Sequence, residues 1–319
     1  MADQPAPEVR TVLEAMHSEG VLPFHALSVP GARRYLEDLF TSDAEPRPVG
    51  RVRDLSIRGP DGGELPIRVY EPDAGDDGTA GSEEPRPALV WFHGGGFVLG
   101  NLDSVDPACR ALCVETDRVV VSVNYRHAPE HPFPAAPEDC YAGTRWVVDH
   151  AEHLGIDPDR VAVGGPSAGG NLAAVVALLA RDRDGPDIER QVLVYPVTNR
   201  VRAFDSYEEN GEGYFLTHAD MEWFHGHYLE RAVDARNPYA YPLEARYLGG
   251  LPPASVVTAG FDPLRDEGIA YAERLADDGV EVAHHHYPGM IHGFFSMLTD
   301  PEIERAWDAL GAVADDLSG

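Results

Sequence analysis

The sequence predicts an α/β protein, a largely parallel sheet with helices on both faces. Two observations carry this. Short apolar runs of buried-strand length recur through the chain, and segments with helical spacing alternate with them. A third bounds the answer: 319 residues, 43% of them hydrophobic, make one large domain or two modest ones with a substantial core.

In order along the chain, residues 1–45 read as helical. Val12, Met16 and then Tyr35, Leu36, Leu39 and Phe40 recur near the helical period, in two or three short helices broken at Pro23 and Pro30. Segments 52–57 and 65–70 read as strands flanking a turn at Pro60-Asp61-Gly62-Gly63. Residues 73–84, rich in glycine and acid, read as a solvated loop. Strands follow at 88–92, 118–123, 160–164, 191–195, 254–259 and 280–287, with helices at 104–115, 135–151, 168–182, 266–277 and 301–317. The span 198–237 carries no strand run but holds Phe204, Tyr207, Tyr214, Phe215, Trp223, Phe224 and Tyr228. It reads as a helical insertion that packs with the N-terminal helices as a cap. The expected organisation is 1–45 for the N-terminal part of the cap, 46–197 for the first part of the core, 198–237 for the cap insertion and 238–319 for the second part of the core.

Acids outnumber bases 54 to 25, a formal net charge of −29, and every one of the 25 bases is arginine. Nucleic-acid binding needs a basic face, so that partner class is excluded. Self-repulsion at this charge destabilises the compact state in dilute buffer, whereas molar salt shortens the Debye length to about 3 Å and screens it. The expectation is a salt-adapted protein. No apolar run reaches the roughly 18 residues of a membrane span, and no basic start followed by an apolar run marks a secretory signal. Cys109, Cys113 and Cys140 are then expected as reduced, cytoplasmic thiols, too few and too widely spaced for a zinc site.

The chemistry concentrates in three places. Gly165-Pro166-Ser167-Ala168-Gly169 follows a buried strand and opens an apolar helix, in the G-x-S-x-G form of a nucleophile elbow. Small flanking residues let the chain turn sharply, and the helix aims its free N–H groups at the hydroxyl. His93-Gly94-Gly95-Gly96-Phe97 follows another buried strand, and its glycines let backbone N–H groups approach an oxyanion. No Gly-Lys-Ser/Thr ending follows, which excludes a P-loop, and no G-x-G-x-x-G opens a helix there, which excludes a dinucleotide fingerprint.

A serine needs a base, and the base an orienting carboxylate. Asp262 lies just past the strand at 254–259, at a carboxyl end where α/β sites form; its rival Asp266 is expected to cap the following helix. His292 lies in the loop expected after the last strand. His284, His285 and His286 are consecutive within a strand, point to alternating faces and cannot make one cluster. His225 and His227 lack the partner acids a metal site needs. The resulting order Ser167, Asp262, His292 is that of α/β-hydrolases.

With Asn124-Tyr125-Arg126, Ala128-Pro129-Glu130 and Asp262-Pro263-Leu264-Arg265-Asp266-Glu267-Gly268 added to these motifs, the chain resembles the hormone-sensitive lipase family, in its microbial carboxylesterase branch, over nearly its whole length. The resemblance implies an α/β-hydrolase fold with an eight-stranded, mostly parallel sheet and a helical cap. It implies oxyanion N–H groups from Gly95, Gly96 and Ala168, and a supporting role for His93 and Gly94. One position departs: the family has Asp or sometimes Thr before the nucleophile, where this chain has Pro166. The implied activity is hydrolysis of short- to medium-chain acyl esters through an acyl-enzyme, with no metal or organic cofactor. The implied partner is a small-molecule ester, with no nucleic acid, no membrane span and a homodimer left open. The alternatives are an amidase or deacetylase of a specialised metabolite, and a non-catalytic ligand-binding relative.

Overall fold

The apolar runs form a single eight-stranded sheet. In the computed structural model, which describes residues 2–40, 45–73, 84–299 and 302–319, the strands are β1 (Arg51–Arg58), β2 (Glu64–Glu71), β3 (Arg86–Phe92), β4 (Val119–Val123), β5 (Ile156–Pro166), β6 (Gln191–Val194), β7 (Ala254–Phe261) and β8 (Val282–Ile291). Their spatial order is β1-β2-β4-β3-β5-β6-β7-β8. β2 runs antiparallel to both β1 and β4, and every other neighbour pair is parallel. The expected eight-stranded, mostly parallel sheet is therefore present.

The helices are α1 (Pro7–Ser18), α2 (Val29–Phe40), α3 (Asp106–Thr116), α4 (Ala135–Asp149), α5 (Ala151–Leu154), α6 (Ala168–Asp182), α7 (Asp205–Glu209), α8 (His218–Tyr228), α9 (Arg265–Asp277) and α10 (Glu304–Ser318). Alternation along the central strands splits the core in two. Ala88, Val90 and Phe92 of β3 join the α4, α6 and α9 side, while Leu89 and Trp91 join the α3 and α10 side. Buried on both faces, β3 and β4 read as near-continuous apolar sequence. Every residue of α6 from Ala168 to Ala180 is buried, because this helix lies between the sheet and further layers rather than at the surface.

Several boundaries differ from expectation. Pro30 does not break a helix. It occupies the first turn of α2, where its missing N–H has no intrahelical partner to lose. The helix expected at 135–151 stops at Asp149, and α5 follows as a separate turn. Most consequentially, β8 does not end at Tyr287 but runs through Pro288 and Gly289 to Ile291. β8 has only β7 beside it, and a proline is tolerated on such an edge. The ladder shifts between Ala259 and Phe261, and Gly260 allows it: a Cβ there would lie 2.1 Å from the Pro288 carbonyl oxygen. The loop expected at 73–84 falls, apart from its two end residues, outside the described residues.

Candidate active site

Parallel pairing sends the carboxyl ends of neighbouring strands to one edge, and the sequence-picked residues emerge there in succession. His93 follows β3, Ser167 follows β5, Asp262 follows β7 and His292 follows β8.

Ser167 has φ 58° and ψ −119°, a left-handed conformation that costs an L-residue about 1–3 kcal/mol. The surroundings hold it there. Its N–H donates to Val194 O at 2.8 Å, and its carbonyl accepts from the N–H groups of Asn171 (3.0 Å) and Val197 (3.2 Å). The turn needs glycine on both sides. A Cβ on Gly165 would meet Phe92 O at 2.3 Å, and one on Gly169 would meet the same oxygen at 1.9 Å. Pro166 fits as the last residue of β5, opposite Val194, and the N–H groups of Ser167 and Ala168 remain after it.

His292 Nε2 lies 3.0 Å from Ser167 Oγ, and His292 Nδ1 lies 2.8 Å from Asp262 Oδ2. Asp262 is fully buried, and its other carboxylate oxygen accepts the Leu264 N–H at 2.8 Å. With the carboxylate as an obligate acceptor, Nδ1 carries the proton and Nε2 presents its lone pair to the serine hydroxyl. Asp266 does not cap α9. It is the second residue of that helix, and its carboxylate turns to the Ser206 N–H (3.0 Å) and its neighbour Arg265.

The glycine loop adopts positive φ at Gly95 (109°) and Gly96 (60°). A Cβ on Gly96 would sit 2.2 Å from the Phe224 ring. The N–H groups of Gly95, Gly96 and Ala168 meet no acceptor among the described residues; the last is the first residue of α6 and has no intrahelical partner. His93 faces away from this chemistry. Its Nδ1 lies 2.7 Å from Gly94 O, its ring stacks on Tyr125 at 4.2 Å, and the Tyr125 hydroxyl donates to its carbonyl. Burial drives its pKa down to about 4, so the ring is neutral.

Over these residues lies a cleft of about 870 Å³, open mouth included. Phe24, Leu36, Phe40, Phe215, Met221 and Phe224 make much of its apolar wall. They come from the N-terminal helices and the 198–237 span. Phe24 joins the two segments, its ring 5.9 Å from Phe215 and 5.7 Å from Phe224. Arg33 of α2 donates to Val98 O, just beyond the glycine loop, and pairs with Glu130. His25 donates its backbone N–H to Asp220 Oδ1 at 2.8 Å. Among the described residues no group of three His, Cys, Asp or Glu side chains is placed to hold a metal.

The sequence assigns no role to several other participants. Phe24 was invisible because the cap rings it joins, Phe215 and Phe224, lie 191 and 200 residues further along the chain. Tyr195 packs on the His292 ring at 4.6 Å. Glu267, wholly buried, accepts the N–H groups of Thr198 (2.5 Å) and Asn199 (3.2 Å) and pairs with the Tyr207 hydroxyl, so it fixes the entry into the 198–237 span. Burial raises its pKa to about 8. The histidines at 284–286 alternate: His284 and His286 share the Thr258 hydroxyl, and His285 turns to Asp316.

A sheet of this order, with a strained serine on a strand-to-helix turn, defines an α/β-hydrolase. Residues 89–296 match the family described as the alpha/beta hydrolase fold, and the chain belongs to that family, in its hormone-sensitive lipase-like group. A carboxylic ester hydrolase of Mycobacterium tuberculosis, LipN, is 46% identical over 77% of this chain and 65% of its own length, so the match spans just under two thirds of that relative. An ethyl acetate hydrolase of Pseudomonas putida is 39% identical over 96% and 95% of the two chains. The solved structure of a hyperthermophilic esterase from the archaeon Pyrobaculum calidifontis superposes with a TM-score of 0.90 at 40% identity, covering 98% of each chain.

Proposed function

We propose that the protein is a carboxylic ester hydrolase that works through a Ser167 acyl-enzyme. The observation that carries this reading is the relay of two hydrogen bonds, Ser167–His292–Asp262, opening onto a pocket of unpaired backbone amides. His292 Nε2 takes the Ser167 proton as Oγ attacks the ester carbonyl. The negative charge passes to the carbonyl oxygen, where the N–H groups of Gly95, Gly96 and Ala168 receive it. Asp262 stabilises the imidazolium. Collapse of the intermediate breaks the C–O bond, and His292 returns the proton to the departing alcohol. Water, deprotonated by the same histidine, then releases the acid and restores Ser167.

The aromatic wall of the cleft supports short- to medium-chain acyl groups, as does the relative named for ethyl acetate. The segments 1–45 and 198–237 act in this reading as the cap. The net charge of −29 supports salt adaptation, and three buried free cysteines fit a reducing, cytoplasmic setting. A 4-nitrophenyl ester series of rising chain length, run in dilute buffer and at molar salt, tests these points together. Turnover should peak at short to medium chains and be best sustained in salt. Ser167→Ala should lose turnover while keeping its circular-dichroism spectrum. Persistent turnover in that variant would overturn the assignment, and full stability in dilute buffer would overturn the salt adaptation.

A further inference from the structure

One histidine of the cleft has no part in the relay. His225, on α8, lines the same cavity as Ser167, amid Leu216, Met221 and Phe224. Its Nδ1 lies 2.6 Å from the Tyr241 hydroxyl. Tyr241 is fully buried, and its hydroxyl has no other partner among the described residues. A sealed hydroxyl hydrogen without an acceptor is costly, so the O–H donates to Nδ1. That choice puts the ring proton on Nε2. Nε2 meets no acceptor among the described residues, and the residue keeps 7% of its surface exposed where it lines the cleft. Burial also lowers the His225 pKa to about 3, which keeps the ring neutral with this one proton.

We propose that His225 is a specificity residue of the cleft. Its Nε2–H donates to an oxygen that the substrate carries away from the scissile carbonyl, so the favoured substrates are esters with a second, ether- or carbonyl-type oxygen rather than plain alkyl esters. The inference rests on the ester-hydrolase reading above. A donor in apolar surroundings discriminates well, because a substrate without the acceptor leaves it unpaired.

The test uses two pairs of esters that differ by one methylene replaced with an ether oxygen. On the acyl side these are 4-nitrophenyl pentanoate and 4-nitrophenyl 3-methoxypropanoate; on the alcohol side, butyl acetate and 2-methoxyethyl acetate. The kcat/KM ratio of ether to alkyl ester is corrected by the ratio for alkaline hydrolysis. Each ratio is taken within one preparation, so the fraction of folded enzyme cancels. In the wild type the corrected ratio should favour the ether by about three- to tenfold in at least one pair. His225→Phe should bring it to about one, and His225→Gln, which keeps a donor, should recover part of it. Tyr241→Phe frees Nδ1 to take the proton and should also lower the ratio, which decides the matter if His225→Phe does not fold. A wild-type ratio of one in both pairs, or an unchanged ratio in the variants despite slower turnover, overturns the proposal. No hydrolysis of any of the four esters by the wild type would instead sink the ester-hydrolase reading.

Discussion

Replacing Asp262 by asparagine separates the orienting carboxylate from everything else in the site. The substitution keeps shape and volume but offers one acceptor and one donor where aspartate offers two acceptors. In the native site the two oxygens serve two N–H groups, Leu264 and His292, each at 2.8 Å. An asparagine whose oxygen stays on Leu264 turns its amide toward Nδ1. The ring proton then moves to Nε2, and the lone pair facing Ser167 is gone. The flipped amide restores the working tautomer but sets two donors against each other at Leu264. Each donor left unpaired there costs about 1–3 kcal/mol, about 2–6 for the two. At about 1.4 kcal/mol per decade, the working orientation is at most about one molecule in thirty. Loss of the carboxylate charge beside the imidazolium lowers the rate further. The expected fall in kcat is about 10³- to 10⁵-fold with the thermal midpoint nearly unchanged. Steady-state kinetics on 4-nitrophenyl acetate, with circular dichroism as the folding control, measures both. A kcat within tenfold of the wild type would refute the tautomer argument.

Three further outcomes follow from the packing and electrostatics. Gly169→Ala drives a Cβ to within 1.9 Å of the Phe92 carbonyl and should cost about 3 kcal/mol or more, read as a fall in the urea midpoint; a midpoint equal to the wild type would contradict the close approach. Gly226→Ala, in α8 with nothing within 4 Å of the new methyl, should instead stabilise by about 0.4–1 kcal/mol in the same measurement. Glu267, whose ordinary pKa of 4.5 is raised by burial to about 8 in the fold, holds its proton more tightly when folded, so its contribution is fully present below pH 4.5 and is lost as pH rises toward 8. Relative to the wild type, Glu267→Gln should therefore gain thermal stability between pH 5 and pH 8, and a difference independent of pH would remove this account.

What could be read from the residues was what local chemistry encodes. The all-apolar stretch Val119–Val123 announces a strand buried on both faces. The glycines at 165 and 169 announce a turn that no larger residue fits. The fold class and the three residues of the relay came from such signals. What stayed hidden depends on partners distant in sequence. Pro288 and Gly289 look like breakers, and only the edge position of β8 and the matching Gly260 let the strand pass through them. Asp266 looks like a helix cap until Ser206, sixty residues earlier, takes its carboxylate. His225 draws notice in the sequence only beside His227, as a metal pair without partner acids, and nothing there ties it to Tyr241.

The ring of Phe224 fills the space that a side chain at Gly96 would need. The floor of the pocket and its roof therefore form one unit, although they are encoded far apart. A chimaera that imports the 198–237 segment from a relative, to widen the range of accepted molecules, also changes how dry the floor is. Under the proposed mechanism, a smaller residue at 224 would admit hydration beside the Gly96 amide, raise the local dielectric and weaken that amide's grip on developing charge. Breadth gained overhead would be lost as catalytic power below, unless the loop and the roof are exchanged together.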